Sequence, residues 1–397
     1  MFKNSPVNSL NSKLNGFYIG FIVLWPVLQY FIGFDGKGRI PFFGTLAFLA
    51  YSFFANQKQF LSMPLLIWWI WVAYALINTF FIQGTPMPPA DIIGFCTGVV
   101  SGPLIAKCII DGAFTGRDSL LKYIGYVILL YLLGTLMIPS TNEYEGHGIS
   151  AFGNIVPITI VFMVFVFAIR FIHKDISLKL FVVVSVLAVF LVVVSATRKA
   201  FGGLFIVLLF TYLSKMQKFS FKTFFVSVLV GLILYALSDT FISSDLWERF
   251  YRTNEQSAVG DYDDNLFLSL MDDRAIMYVT GWDVFLDNLW LGIGLRNYLN
   301  LGYSAYTLHT EYMVQLTECG IVGSSLFLWF YLKMAKGLIR KAKWHSYEAL
   351  VYLGGYVTII FMSFTTWTYN QPVFWICIGL ILAYIKKQKY ENCYCRS

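Results

Sequence analysis

Four basic side chains and one imidazole stand where the sequence around them is otherwise apolar or acidic, and together they could hold an anion and accept a proton. Arg198 and Lys199 lie in Ser195-Ala-Thr-Arg-Lys-Ala-Phe-Gly-Gly203, a tight turn between two strongly apolar runs. Arg274 opens the segment Asp272 to Trp282, and Arg296 follows Gly292-Ile-Gly-Leu295. An arginine fork can take two oxygens of a phosphate at once. Competing readings are plain: Arg198 and Lys199 could snorkel to lipid headgroups, and Arg274 could pair with Asp272 or Asp273 in an exposed bridge worth about 0–1 kcal/mol. His309 lies in Leu308-His-Thr-Glu-Tyr312, beside Glu311 and Tyr312, where Thr310 could cap a helix. An imidazole with an unperturbed pKa of about 6.5 can take a proton near neutrality, although a lone histidine is more often structural.

Other candidate chemistries are weaker. Asp261, Asp263 and Asp264 form a DxDD that could ligate a divalent ion. The surrounding stretch 242–308 has ten acidic residues against four arginines, Arg249, Arg252, Arg274 and Arg296, so a solvated acidic surface suits it better and no metal is expected. Gly292-Ile-Gly294 shapes a turn, since it lacks the preceding strand and third glycine of a nucleotide loop. His147 sits in a polar segment whose default reading is a loop. Without HExxH, a Walker loop or GxSxG, neither a nucleotide nor another cofactor is indicated. The cysteines Cys96, Cys108, Cys319 and Cys377 lie in or beside apolar runs, and the Cys393-x-Cys395 pair has no second Cys/His pair to complete a metal site.

The elements that position these groups are membrane helices. The chain is 58% hydrophobic and 13% charged over 397 residues, against roughly 45–50% and 25% in soluble domains. Runs such as Leu180 to Val194 are apolar all round, which excludes a period-two barrel strand. Spans are expected near Gly16–Gly33, Pro41–Ala55, Pro64–Ile82, Asp91–Ala106, Tyr123–Ile138 and Phe152–Ile172. More are expected at Leu180–Ala196, Phe201–Leu213, Thr223–Phe241, Tyr312–Leu332, Ala349–Thr366 and Val373–Ile385. The fold class is therefore all-α, a polytopic transmembrane bundle of about 12 spans, forming a single domain over 1–397. The polar N-terminus ahead of the first run reads as a retained span rather than a cleaved signal.

With the N-terminus in the cytoplasm, 21 of the 29 basic residues fall inside and 8 outside, as the positive-inside rule requires. Both termini are then cytoplasmic, and the long connection 242–308 faces the outer side. That connection is too aromatic to be disordered, and Arg274–Leu289 has the pattern of an amphipathic helix on the bundle or membrane surface. The net charge of +7 reports membrane orientation, and no nucleic-acid partner is expected.

In this order the segments resemble the O-antigen polymerase and ligase superfamily of bacterial inner-membrane glycosyltransferases. The matching marks are Ser195 to Lys199, Arg274 to Trp282, Asp287 to Tyr298, and His309-Thr-Glu-Tyr312 with Glu318-Cys-Gly-Ile-Val-Gly323, with an echo at Ala151-Phe-Gly-Asn154. The resemblance covers about residues 150 to 330 by motif and the rest by hydropathy. It implies a GT-C-like architecture, an undecaprenyl-pyrophosphate-linked oligosaccharide as donor, a sugar hydroxyl as acceptor, and inverting, metal-independent transfer at the periplasmic face of the inner membrane. It also implies catalytic roles for Arg198 and Arg274 at the pyrophosphate and for His309 as base. Lys199, Arg249, Arg252, Arg296, Glu311 and Tyr312 are the expected substrate-binding neighbours. Membrane lipid and a chain-length regulator protein are the other partners it suggests. Many relatives have Asn after the histidine, and Thr310 departs from that in favour of the polymerase or capsule-type branch over the ligase branch.

The alternative within the superfamily is a ligase that transfers the glycan to lipid A core. From another class, a flippase of polyprenyl-linked oligosaccharides would also suit many spans. Transporters keep ionisable or broken-helix sites near the midplane. Here the centres of the apolar runs are nearly free of charge and the polar groups collect in one outer loop.

Overall fold

The computed structural model describes residues 6–32, 39–55, 63–87, 89–137, 155–194, 198–215, 273–303, 308, 310–341, 347–364, 366–367, 369 and 371–394. Among them there is no strand. In chain order the helices are α1 (Pro6–Ile32), α2 (Arg39–Ala55), α3 (Met63–Ile77), α4 (Pro89–Leu136), α5 (Ile155–Ile172) and α6 (Leu178–Val194). Then come α7 (Arg198–Lys215), α8 (Asp273–Asp287), the single turn α9 (Asn297–Asn300), α10 (Glu311–Lys341), α11 (Tyr347–Ser363) and α12 (Pro372–Tyr394). Four stretches are long and apolar enough to cross a membrane: Lys13–Phe31, Met63–Ile82, Ile92–Ala113 and Glu311–Arg340. Shorter apolar helices at Arg39–Phe54, Ser119–Gly134, Val156–Ile172, Leu178–Val193, Glu348–Ser363 and Pro372–Lys386 accompany them. The expected span Thr223–Phe241, the acidic cluster 261–264, His147 and the segment 151–154 lie outside the described residues.

One expected pair of spans differs in detail. In place of two helices joined by a loop over 107–122, helical backbone continues from Pro89 to Leu136. Its axis nevertheless doubles back. A methyl on Gly112 would stand 3.1 Å from Leu120 Cδ1, whereas eight residues of straight helix separate their ends by about 12 Å. Lys107, expected in a solvated connection, is instead buried and bridges Asp111 one turn on at 3.0 Å. That i, i+4 pairing lets the charge stay within the helix.

The core is aromatic and closely packed. Trp68 of α3 meets Trp71 at 4.6 Å, Trp375 of α12 at 4.6 Å and Phe330 of α10 at 5.0 Å between ring centroids. Helices α4 and α12 approach where Gly379 faces Ala106, whose Cα would lie 2.9 Å from an added methyl. Long-range contacts sort the helix ends into two sets. At one end His173 Nε2, just past α5, lies 2.9 Å from Glu348 Oε1 at the start of α11. The far end of α11 instead joins α10, with Thr310 Oγ1 donating to Ser363 O at 3.5 Å. The polar site described next belongs to this second end.

Candidate functional site

Helix α10 is broken. At Gly320 the backbone turns to φ 61°, ψ −168°, a conformation that only glycine adopts without strain. A break leaves carbonyls unsatisfied below it and N–H groups unsatisfied above it. The segment after α8 supplies both sets of partners. Below the break, Ile293 N donates to Thr317 O at 3.1 Å and Gly294 N to Glu318 O at 2.8 Å. Tyr74 Oη donates to Cys319 O at 2.7 Å. Above the break, Ile321 N donates to Leu289 O at 2.9 Å and Val322 N to Trp290 O at 3.2 Å. The same segment is tied to the π-helical turn Asn78–Ile82 that continues α3, where Asn78 Nδ2 donates to Leu291 O at 2.7 Å and Thr79 Oγ1 accepts from Leu295 N at 2.8 Å.

Gly292 and Gly294 do shape this turn, with φ of 69° and 90°. Their role extends to the break in α10, because a methyl on Gly292 would lie 2.5 Å from Glu318 C and 2.6 Å from Gly320 N. Gly302 offers a control, with φ 78° and nothing within 4 Å of an added methyl. Gly302→Ala is expected to cost only the left-handed strain of about 1–2 kcal/mol, and Gly292→Ala distinctly more. Thermal midpoints in detergent should fall in that order; equal midpoints would mean that the close approach contributes nothing.

Three distant parts of the sequence converge on the end of α11 and its connection to α12. Lys199 Nζ donates to Thr366 Oγ1 at 2.7 Å. The Arg296 guanidinium lies over the Trp367 ring, 6.0 Å from its centroid. Trp367 Nε1 donates to Leu308 O at 2.6 Å, and Thr310 reaches Ser363 O, so both chain neighbours of His309 are anchored here. Tyr312 Oη donates to Ile360 O at 3.1 Å while its ring packs on Phe364 at 4.6 Å. Behind them Glu311, Gln315 and Glu318 share one face of α10 at i, i+4, i+7 spacing, 0%, 1% and 5% exposed.

The face of α10 meets donors without acceptors. Gln315 Oε1 accepts from Trp71 Nε1 at 3.0 Å, which leaves its buried Nε2 with no hydrogen-bond partner among the described residues. The Tyr369 hydroxyl is equally buried and equally unpartnered there. Its ring lies 5.9 Å from Trp71 and 6.2 Å from Trp367. Burial, then the nearby carboxylate of Glu318, push the Tyr369 phenol well above its ordinary value. It remains a proton donor to any bound group. Such buried donors suit a ligand rich in oxygen acceptors.

Of the expected site residues, Lys199, Arg296, Glu311 and Tyr312 are thus brought to one end of the bundle. His309, Arg249 and Arg252 lie outside the described residues, as do the side chains of Arg198 and Arg274, although the backbone places Arg198 first in α7 and Arg274 second in α8. Helix α8 occurs where the amphipathic pattern placed it and packs on α10, with Thr317 Oγ1 donating to Gly281 O at 2.9 Å. Trp367, Tyr369, Gln315 and Glu318 were not among the expected residues. For Gln315 and Glu318 the available signal was their spacing from Glu311; for the other two it was an aromatic cluster at a span end. No group of three side chains able to hold a metal lies among the described residues.

Residues 183–328 match the O-antigen ligase family model. No curated protein matches the chain. The matched segment runs from within α6 into α10 and carries Lys199, Arg296 and the α10 face, while the α11–α12 connection lies beyond it. It includes the motifs around Arg198, Arg274 and His309, so this segment of the chain is similar to the O-antigen ligase family.

Proposed function

We propose that this membrane protein is a polysaccharide polymerase for O-antigen or capsular repeats, acting at the periplasmic face of the inner membrane. The donor is a glycan on polyprenyl pyrophosphate, and the acceptor is the terminal sugar hydroxyl of another lipid-linked repeat. His309 takes the acceptor proton as the new bond forms at the anomeric carbon, with inversion and without a metal. The C–O bond to pyrophosphate breaks, and its electron pair leaves as negative charge on the phosphate oxygen. Arg198 and Arg274 stabilise that charge, with Lys199, Arg249, Arg252 and Arg296 as further cationic contacts. Glu311 and Tyr312 line the acceptor side.

The observation that carries this reading is the convergence of Lys199, Arg296 and both neighbours of His309 on one connection, Ser363 to Tyr369. Two cations beside a proton acceptor, at a protein–membrane boundary of low dielectric, are what pyrophosphate departure needs. The family description favours a second reading, a ligase that moves the glycan to lipid A core. Thr310 in place of the relatives' Asn favours the polymerase. A deletion strain separates them. The polymerase predicts lipid A cores that each bear one repeat, because a separate ligase still works. Cores bearing none, with long polymer held on the carrier, would establish the ligase.

A further inference from the structure

Arg296 is one of two described non-glycine residues with positive φ, at 61°. Strain of this kind persists where surrounding structure over-determines it. The determinant is Glu318. Its Oε2 accepts from Arg296 N at 2.8 Å and its Oε1 from Tyr298 N at 3.3 Å. Two backbone N–H groups, one on each side of Asn297, are therefore held by one buried carboxylate. Both carboxyl oxygens are thereby spent on main-chain donors.

What this carboxylate does not do is equally informative. It lies near the arginine it orders, yet its hydrogen bonds among the described residues go to backbone N–H groups, and the Arg296 side chain makes no ion pair or hydrogen bond there. Nε of Arg296 is buried without a partner, while the guanidinium rests over Trp367. An arginine placed by its own main chain, and left with its fork unspent, is preorganised for an incoming anion.

We propose that Glu318 is a positioning residue for the donor: by locking the left-handed turn at Arg296, it aims that guanidinium at the pyrophosphate. The inference rests on the donor-site reading above. It adds a role for a carboxylate that never touches substrate, in a site whose cargo is itself negative. A carboxylate facing the ligand would repel pyrophosphate, whereas both oxygens of Glu318 are engaged by backbone donors.

The test is a double-mutant cycle on the full-length protein in proteoliposomes. The donor is the lipid-linked repeat extracted from a deletion strain, and inorganic pyrophosphate serves as a competitive inhibitor. Arg296→Ala and Glu318→Gln are each expected to raise the donor KM and the pyrophosphate inhibition constant roughly tenfold, with a much smaller change in kcat. The double variant should be no worse than Arg296→Ala, as for residues acting through one contact. Multiplying effects, or an unchanged KM in Glu318→Gln, would overturn the positioning role while leaving Arg296 in the site. An unchanged KM and inhibition constant in Arg296→Ala would instead remove Arg296 from the donor site, and the inference with it.

Should Glu318→Gln fail to accumulate, Arg296→Gly supplies the second arm, because glycine adopts positive φ without help. Adding Arg296→Gly to Glu318→Gln should restore the protein level and leave the donor KM high. Failure to restore it would mean that Glu318 is required for something other than this turn.

Discussion

His309→Ala is expected to reduce polymer by about 10²–10⁴-fold, the usual contribution of a general base, at unchanged protein level. Lipid A cores bearing single repeats should persist in that strain. Leu308 is buried with its carbonyl fixed by Trp367 Nε1 at 2.6 Å, and Thr310 is buried with its hydroxyl on Ser363 O. With both chain neighbours of His309 held in this way, alanine at 309 is expected to remove chemistry rather than stability. Of the cationic and imidazole groups in this region, only the imidazole exchanges a proton near neutral pH. His309→Gln keeps hydrogen-bonding capacity without basicity. It should be nearly as defective as His309→Ala; wild-type polymer length and amount in His309→Gln would refute the base role and leave only orientation of the acceptor.

Why the site was half legible is a matter of which forces act locally. Apolar runs dictate helices because a backbone in lipid must satisfy its own hydrogen bonds, and α1, α3, α5 and α6 fall on such runs. Helix α8 follows from the spacing of its own apolar residues. The break in α10 does not follow in that way. Glu318-Cys-Gly-Ile-Val-Gly323 reads as uninterrupted helix, and what opens it is the tertiary capping by Leu289 to Gly294, a segment some thirty residues earlier. Gly320 permits the break, but only those partners make it favourable.

The same distinction applies to Arg296 and Trp367. A basic residue after Gly-Ile-Gly-Leu suggested phosphate binding from its type alone. Its left-handed backbone, and the carboxylate that secures it, depend on α10 lying alongside. Trp367 and Tyr369 sit in Thr366-Trp-Thr-Tyr369 at the end of an apolar run, where aromatic residues ordinarily mark the membrane interface. Only the fold distinguishes a headgroup belt from a wall against which Leu308, Lys199 and Arg296 are gathered. Likewise Lys107 read as a solvated loop charge because sequence hydropathy does not register an i, i+4 partner that lets it stay buried.

Arg198→Ala and Arg274→Ala are each expected to lower activity by about 10²–10³-fold, the cost of removing one preorganised donor from developing negative charge, or roughly 3–4 kcal/mol. Lysine at either position should recover only part of it, since a point charge replaces a planar fork that can engage two phosphate oxygens. The contrast with Lys199 sharpens the expectation. Its ammonium already donates to Thr366 at 2.7 Å, so Lys199 holds the α7 start against the α11–α12 connection as well as contributing charge, and Lys199→Arg should keep much of the activity. Arg198 is the residue immediately before it, at the first position of α7. In-vitro transfer from a lipid-linked donor, with protein level matched by immunoblot, checks all three. Full activity in Arg274→Ala would take α8 out of the donor site. Equal rescue by lysine at Arg198 and Arg274 would show that charge alone, without the bidentate geometry, accounts for stabilisation of the leaving pyrophosphate.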